Sequence, residues 1–155
     1  MNKNIFAGVR DLYKKLILKL TKKNKWVKIQ PPCSGKDIET AEKEIGYAFP
    51  NELRELLSEL NGDRYFLLSI SEIVEQFKFN QKTYEEYKNE GFANGLKNLL
   101  VFAGNGCGDY YGYRINEDGK TDENVIYVWE HEEDRLKQIA SNIAELIAKY
   151  YRTEI

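Results

Sequence analysis

The sequence predicts an α+β fold: a single domain with a largely antiparallel central sheet flanked by helices. Three observations point there. Residues 34–60 and 71–79 carry apolar side chains at three- and four-residue steps, the period of a helix with one buried face. Residues 99–129 hold three short β-prone runs separated by Gly-, Asn- and Asp-rich turns. The chain has 155 residues, enough for one core and too few for two comfortable domains.

The elements follow in order. Ile5, Phe6, Val9, Leu12, Tyr13, Leu16, Ile17 and Leu20 form one apolar stripe, predicting an amphipathic helix over 4–22. Lys14, Lys15, Lys19 and Lys22 fall largely off that stripe. The helix is expected to pack on the domain with its lysines in solvent, rather than to serve a membrane surface or nucleic acid. Residues 24–30 read as a short extended piece, ended by Pro31 and Pro32. Residues 1–33 are therefore taken as a basic helix and connector, and 34–155 as the main domain.

Ser34 followed by Asp37 is a helix-start signature, with Ile38, Ala41 and Ile45 inward and Gly46 as terminator. Pro50 suits a first helical turn, and Leu53, Leu56, Leu57 and Leu60 predict the next helix, closed by Asn61-Gly62-Asp63. Arg64–Ile70 reads as a short strand, and 71–79 as a helix burying Ile73, Val74 and Phe77. Residues 80–98 are expected to be part helix and part loop. Leu99–Ala103, Tyr110–Ile115 and Val125–Trp129 are the strands of an antiparallel meander. Leu136, Ile139, Ala140, Ile143, Ile147 and Tyr150 predict a final amphipathic helix.

Composition narrows the function. Cys33 and Cys107 are too few for a disulfide scaffold and are expected as free thiols in a reducing compartment. With His131 the only histidine, a zinc site is not expected, and neither is any other cofactor. No apolar run approaches the roughly 18–20 residues of a membrane span, and the N-terminus lacks the pattern of a secretion signal. The expected location is cytoplasmic. Charge is uneven: residues 1–30 carry nine Lys/Arg against one Asp, a balance of +8, while 31–155 carry 14 basic against 24 acidic side chains, a balance of −10. Such a body repels phosphate backbones and attracts basic proteins.

Two constellations invite chemistry. Gly104, Gly106 and Gly108 suggest a phosphate loop, but no Lys-Ser/Thr follows and the next element is a strand, so a hairpin turn is the reading. Asp109 with the run Glu130-His131-Glu132-Glu133-Asp134 could bind a cation or transfer protons. Carboxylates just before a helix also stabilise its dipole, and that is the expected role of the run. No nucleophile elbow, zinc-protease or kinase motif occurs. Between 105 and 134, nine Asp/Glu meet only two Lys/Arg, interleaved with Tyr110, Tyr111, Tyr113, Tyr127 and Trp129. Acids mixed with aromatics suit a basic protein partner; the alternative is that the aromatics are core and the acids ordinary surface. Strand alternation puts Tyr111 and Tyr113 on one sheet face and Tyr110 on the other.

The order of parts adds to this. Ile45-Gly46, then Phe49-Pro50 with Leu53, then Asn61-Gly62, then Phe102-Ala103-Gly104 through Gly108-Asp109-Tyr110 to Gly112-Tyr113, then Val125-Ile126-Tyr127-Val128-Trp129-Glu130-His131-Glu132 and a terminal helix resemble the SUKH superfamily over about 34–150. That superfamily includes bacterial toxin-immunity proteins and the yeast cell-wall assembly regulator. The resemblance implies a non-catalytic role and a partner bound directly, often a nuclease toxin. Asp109 and the Trp129-Glu130-His131 segment match its most recognisable motifs, and Trp129 is expected in the core.

The leading expectation is an immunity protein whose acidic, Tyr-bearing surface covers a basic toxin, across an interface of roughly 1,600 Å². The residues expected at that surface are Asp109, Tyr111, Glu117, Asp118, Glu130, Glu132 and Glu133. No nucleic acid and no membrane is expected as partner, and the chain is expected as a monomer or weak homodimer. The alternatives are a regulatory scaffold for cellular proteins and a small hydrolase or ligand-binding domain. A deep pocket holding His131 beside a nucleophile would favour the last.

Overall fold

Residues 11–155 are described by the computed structural model. Among them are five α-helices, α1 (Leu12–Leu20), α2 (Gly35–Ile45), α3 (Asn51–Glu59), α4 (Ile70–Tyr87) and α5 (Ile143–Tyr151). Four strands, β1 (Leu99–Gly104), β2 (Tyr110–Arg114), β3 (Ile126–Glu130) and β4 (Arg135–Ala140), form one antiparallel sheet in the order β1-β2-β3-β4. The α+β expectation holds, with one strand more than the meander read from the sequence.

Alternation along the strands divides the aromatics between two cores. Leu100, Phe102, Tyr111, Tyr113, Ile126 and Val128 enter the large core with the apolar faces of all five helices. Leu99, Val101 and Trp129 point the other way and bury against Ala93 and Leu96. Each fully buried side chain of Leu or Ile size, such as Ile17 or Leu53, contributes roughly 1.5–3 kcal/mol.

Local signals place most helices where expected. Ser34 and Asp37 form a reciprocal capping box that starts α2, and Gly46 ends it in the left-handed conformation with φ +90. Leu53, Leu56, Leu57 and Leu60 are all buried. Ser69 and Glu72 make a second capping box, and α4 runs to Tyr87, well past the expected end at 79. Two short 3-10 turns, Lys88–Glu90 and Asn94–Leu96, complete the 80–98 stretch, and Ala93 and Leu96 cover the second sheet face.

Two expectations are corrected. Arg64–Ile70 is no strand: Asp63 Oδ1 accepts hydrogen bonds from the N–H groups of Tyr65, Phe66 and Leu67, which winds them into a turn. Only an isolated bridge from Leu67 to Ala103 remains. The final helix begins at Ile143, because Arg135–Ala140 pairs with β3 as a strand. Asn142 caps α5 by accepting from the Glu145 N–H at 2.8 Å.

The N-terminal helix is held by specific contacts. Tyr13 and Ile17 are buried, with Ile17 fully inaccessible. The Glu59 carboxylate faces the first backbone N–H groups of α1, accepting from Tyr13 at 2.8 Å. Burial pushes the Glu59 carboxyl up, against the pull of those N–H groups. Leu12, expected inward, is 55% exposed, since the buried arc centres on Tyr13 and Ile17. Ile5, Phe6 and Val9 lie outside the described residues. Beyond α1 and the turns over residues 21–26, the N–H groups of Lys28 and Gln30 donate to the carbonyls of Asp63 and Gly62 at 2.8 and 3.0 Å.

Candidate functional site

A four-stranded meander gathers its connections at two ends. The β1–β2 loop and the β3–β4 loop share one end, and the β2–β3 connection lies at the other. Pairing of Tyr110 with Trp129 brings the start of β2 beside the end of β3, so Asp109 meets His131 across 22 residues of sequence. The Asp109 carboxylate accepts from the His131 backbone N–H at 3.1 Å, and lies 2.7 Å from Nδ1 of its ring. Asn105 Nδ2 donates to the same carboxylate at 3.2 Å. Partial burial works against the ionised form of Asp109, but these hydrogen bonds outweigh it and hold its carboxyl below the usual range.

The loop is shaped for this contact. Asn105 Oδ1 accepts from the N–H groups of Cys107 and Asp109, a side chain closing its own turn. Gly108 has φ +108, and a Cβ there would stand 2.8 Å from His131 Nδ1. Any other residue would displace the ring. Cys107 is an exposed free thiol and Cys33 a half-buried one, whose pKa burial pushes up to about 11.

Asp134 locks the neighbouring turn. In the left-handed conformation with φ 49, it closes the β3–β4 hairpin. It accepts from Trp129 Nε1 at 2.7 Å, Gly95 N–H at 3.0 Å and Asn94 N–H at 2.7 Å. Trp129, as expected, is core, stacked against Tyr110 with ring centroids 6.2 Å apart.

The expected partner-binding residues are thus divided. Asp109, Glu130, Glu132 and Glu133 stand at the shared hairpin end. Arg135 joins two of them, reaching Glu130 at 2.8 Å and Glu133 at 3.3 Å. Glu117 and Asp118 are exposed in the turn between β2 and β3, at the opposite end of the sheet. Tyr111 is 4% exposed and packs edge-on against Phe66, so its ring is core and not surface. Burial pushes its phenol up to about 12. The acidic run 130–134 is also corrected: it forms a hairpin turn before a strand, so it stabilises no helix dipole. Asn105 and Gly95 were not singled out from the sequence as site residues, and Gly108 and Asp134 were read only as part of the glycine cluster and of the acidic run. Their visible signal was Asn, Asp and Gly at turn positions.

The His131–Asp109 pair resembles half of a proton-transfer relay. Such a pair orients the ring, and the His131 side chain is 39% exposed. Among the described residues no hydroxyl or thiol hydrogen-bonds to His131, and no group of three or more His, Cys, Asp or Glu side chains could hold a metal ion. The groove between α2 and α4, about 610 Å³, is lined by residues such as Asp37, Glu44 and Lys78 and includes neither Asp109 nor His131. Among the described residues no helix is long and apolar enough to cross a membrane.

A model of the SMI1 / KNR4 family (SUKH-1) matches residues 32–149. The chain belongs to this family. In this SUKH-1 protein the match starts just after α1 and its extended connector, and it spans α2 through β4 and nearly all of α5. The family is one of immunity proteins and regulators. No curated protein matches the chain.

Proposed function

We propose that this SUKH-1 protein is a non-catalytic immunity protein that neutralises a basic toxin, a nuclease in the first instance, by direct binding at the hairpin end of its sheet. One observation carries the reading: Asp109, Glu132 and Glu133 stand in two loops clamped together by the Asp109–His131 contact, with Glu130 at the end of β3 beside them. Prelocked loops lose little entropy on binding, and clustered carboxylates steer a basic partner. Tyr110, half-buried beside Asp109, takes the aromatic role expected of Tyr111.

The test is a titration with a toxin found encoded in a neighbouring gene. Reversing Glu130, Glu132 and Glu133 to Lys weakens binding tenfold to a hundredfold in this account, mainly through slower association. Reversing Glu117 and Asp118, at the far end, leaves it unchanged. Equal loss from both sets would remove the hairpin end as the site. A neighbouring gene with no toxin, together with capture of housekeeping proteins, would favour the regulatory scaffold.

A further inference from the structure

Residues 12–28 lie outside the family match and hold seven lysines and no acid. Lys14, Lys15, Lys19, Lys22, Lys23, Lys25 and Lys28 are all exposed, and among the described residues none forms an ion pair. Large apolar side chains stand among them. Leu18 is 54% exposed and projects from α1 on the side opposite Tyr13 and Ile17, between Lys14 and Lys15 around the helix. Trp26 is 66% exposed, held outward by a turn in which its N–H donates to Asn24 Oδ1. Trp26 also lines a depression with Lys23, Lys25, Tyr65 and Tyr151.

Solubility accounts for lysines but not for a leucine and a tryptophan displayed among them. Lysines with exposed Leu and Trp are the chemistry of an anionic lipid surface: ammonium groups meet the headgroups while apolar side chains enter the boundary. A nucleic acid would use the lysines and the indole, but has no use for Leu12 and Leu18. From this we infer that the outer face of α1 and the Trp26 turn form a peripheral docking surface for an anionic phospholipid bilayer. The sequence reading left these lysines simply solvated; the exposed Leu18 and Trp26 among them are what change that reading, and a surface contact needs no spanning segment. The inference stands apart from toxin binding, which uses the hairpin end.

The experiment sediments the full chain with vesicles of phosphatidylcholine alone or mixed with phosphatidylglycerol, and follows tryptophan emission. Binding to the mixed vesicles only, weakened by salt, is expected. Emission shifts to the blue, and Trp26→Phe abolishes the shift because Trp129 is already buried. Each lysine at an anionic surface is worth about fivefold in affinity. Changing Lys14, Lys15, Lys22 and Lys23 together to Gln therefore lowers it at least about a hundredfold, and Leu18→Ser lowers it about tenfold. These side chains are exposed, so circular dichroism should show an unchanged fold. Equal binding to neutral vesicles, or no binding to either, overturns the inference. So does binding of a single-stranded oligonucleotide with quenched Trp26 emission and no vesicle binding.

Discussion

Gly95 has no room for a side chain: a Cβ would overlap Cδ1 of the Trp129 indole and lie 2.8 Å from its Nε1. Gly95→Ala should cost about 1–3 kcal/mol by pushing Trp129 off Asp134, read as a lower urea midpoint and altered near-ultraviolet dichroism. Gly108 is constrained twice, by φ and by His131. Gly108→Ala should cost about 1–2 kcal/mol and loosen the two hairpins, visible as a changed His131 proton resonance. Asp109 carries a pH dependence. Its folded carboxyl lies below the ordinary range, so the stabilisation is complete above that range and is lost as pH falls through it toward the depressed folded value. Asp109→Asn should flatten that acid limb of the stability curve in urea titrations.

At the scale of elements, periodicity was legible where only one period fitted. The leucines of α3 and the Ser34–Asp37 capping box of α2 name their helices directly, whereas the Ser69–Glu72 box of α4 was overrun by the strand expected at 64–70. The run after His131 misleads, because Leu136, Ile139, Ala140 and Ile143 also satisfy a three- and four-residue step. The true boundary did have a signal: Asn142 followed three residues later by Glu145 is a helix-start pair, and the Ser141 N–H donates to the Glu145 carboxylate at 2.9 Å. The Asp109–His131 contact was illegible for a different reason. It depends on the register between β2 and β3, which no local pattern specifies. Glu59, at the end of α3 and not singled out in the sequence, supports the start of α1. Glu59→Ala should leave the first N–H groups of α1 without their carboxylate, cost about 1–2 kcal/mol and speed proteolysis between residues 11 and 30.

For the whole molecule, charge is arranged by region rather than spread evenly. The N-terminal segment before the family match is basic, the hairpin end of the sheet is acidic, and the two ends of the meander separate Asp109, Glu130, Glu132 and Glu133 from Glu117 and Asp118. Binding through the hairpin end should be salt-dependent, with association rates falling as ionic strength rises. The most direct measurement is calorimetric titration of a toxin encoded in a neighbouring gene with the native chain and with the Glu130, Glu132 and Glu133 charge-reversal variant. Tight one-to-one binding by the native chain, weakened at least tenfold in the variant with toxin activity restored, is the predicted result. Unchanged affinity in the variant, or turnover of a small molecule by the purified chain that His131→Ala abolishes, would contradict it.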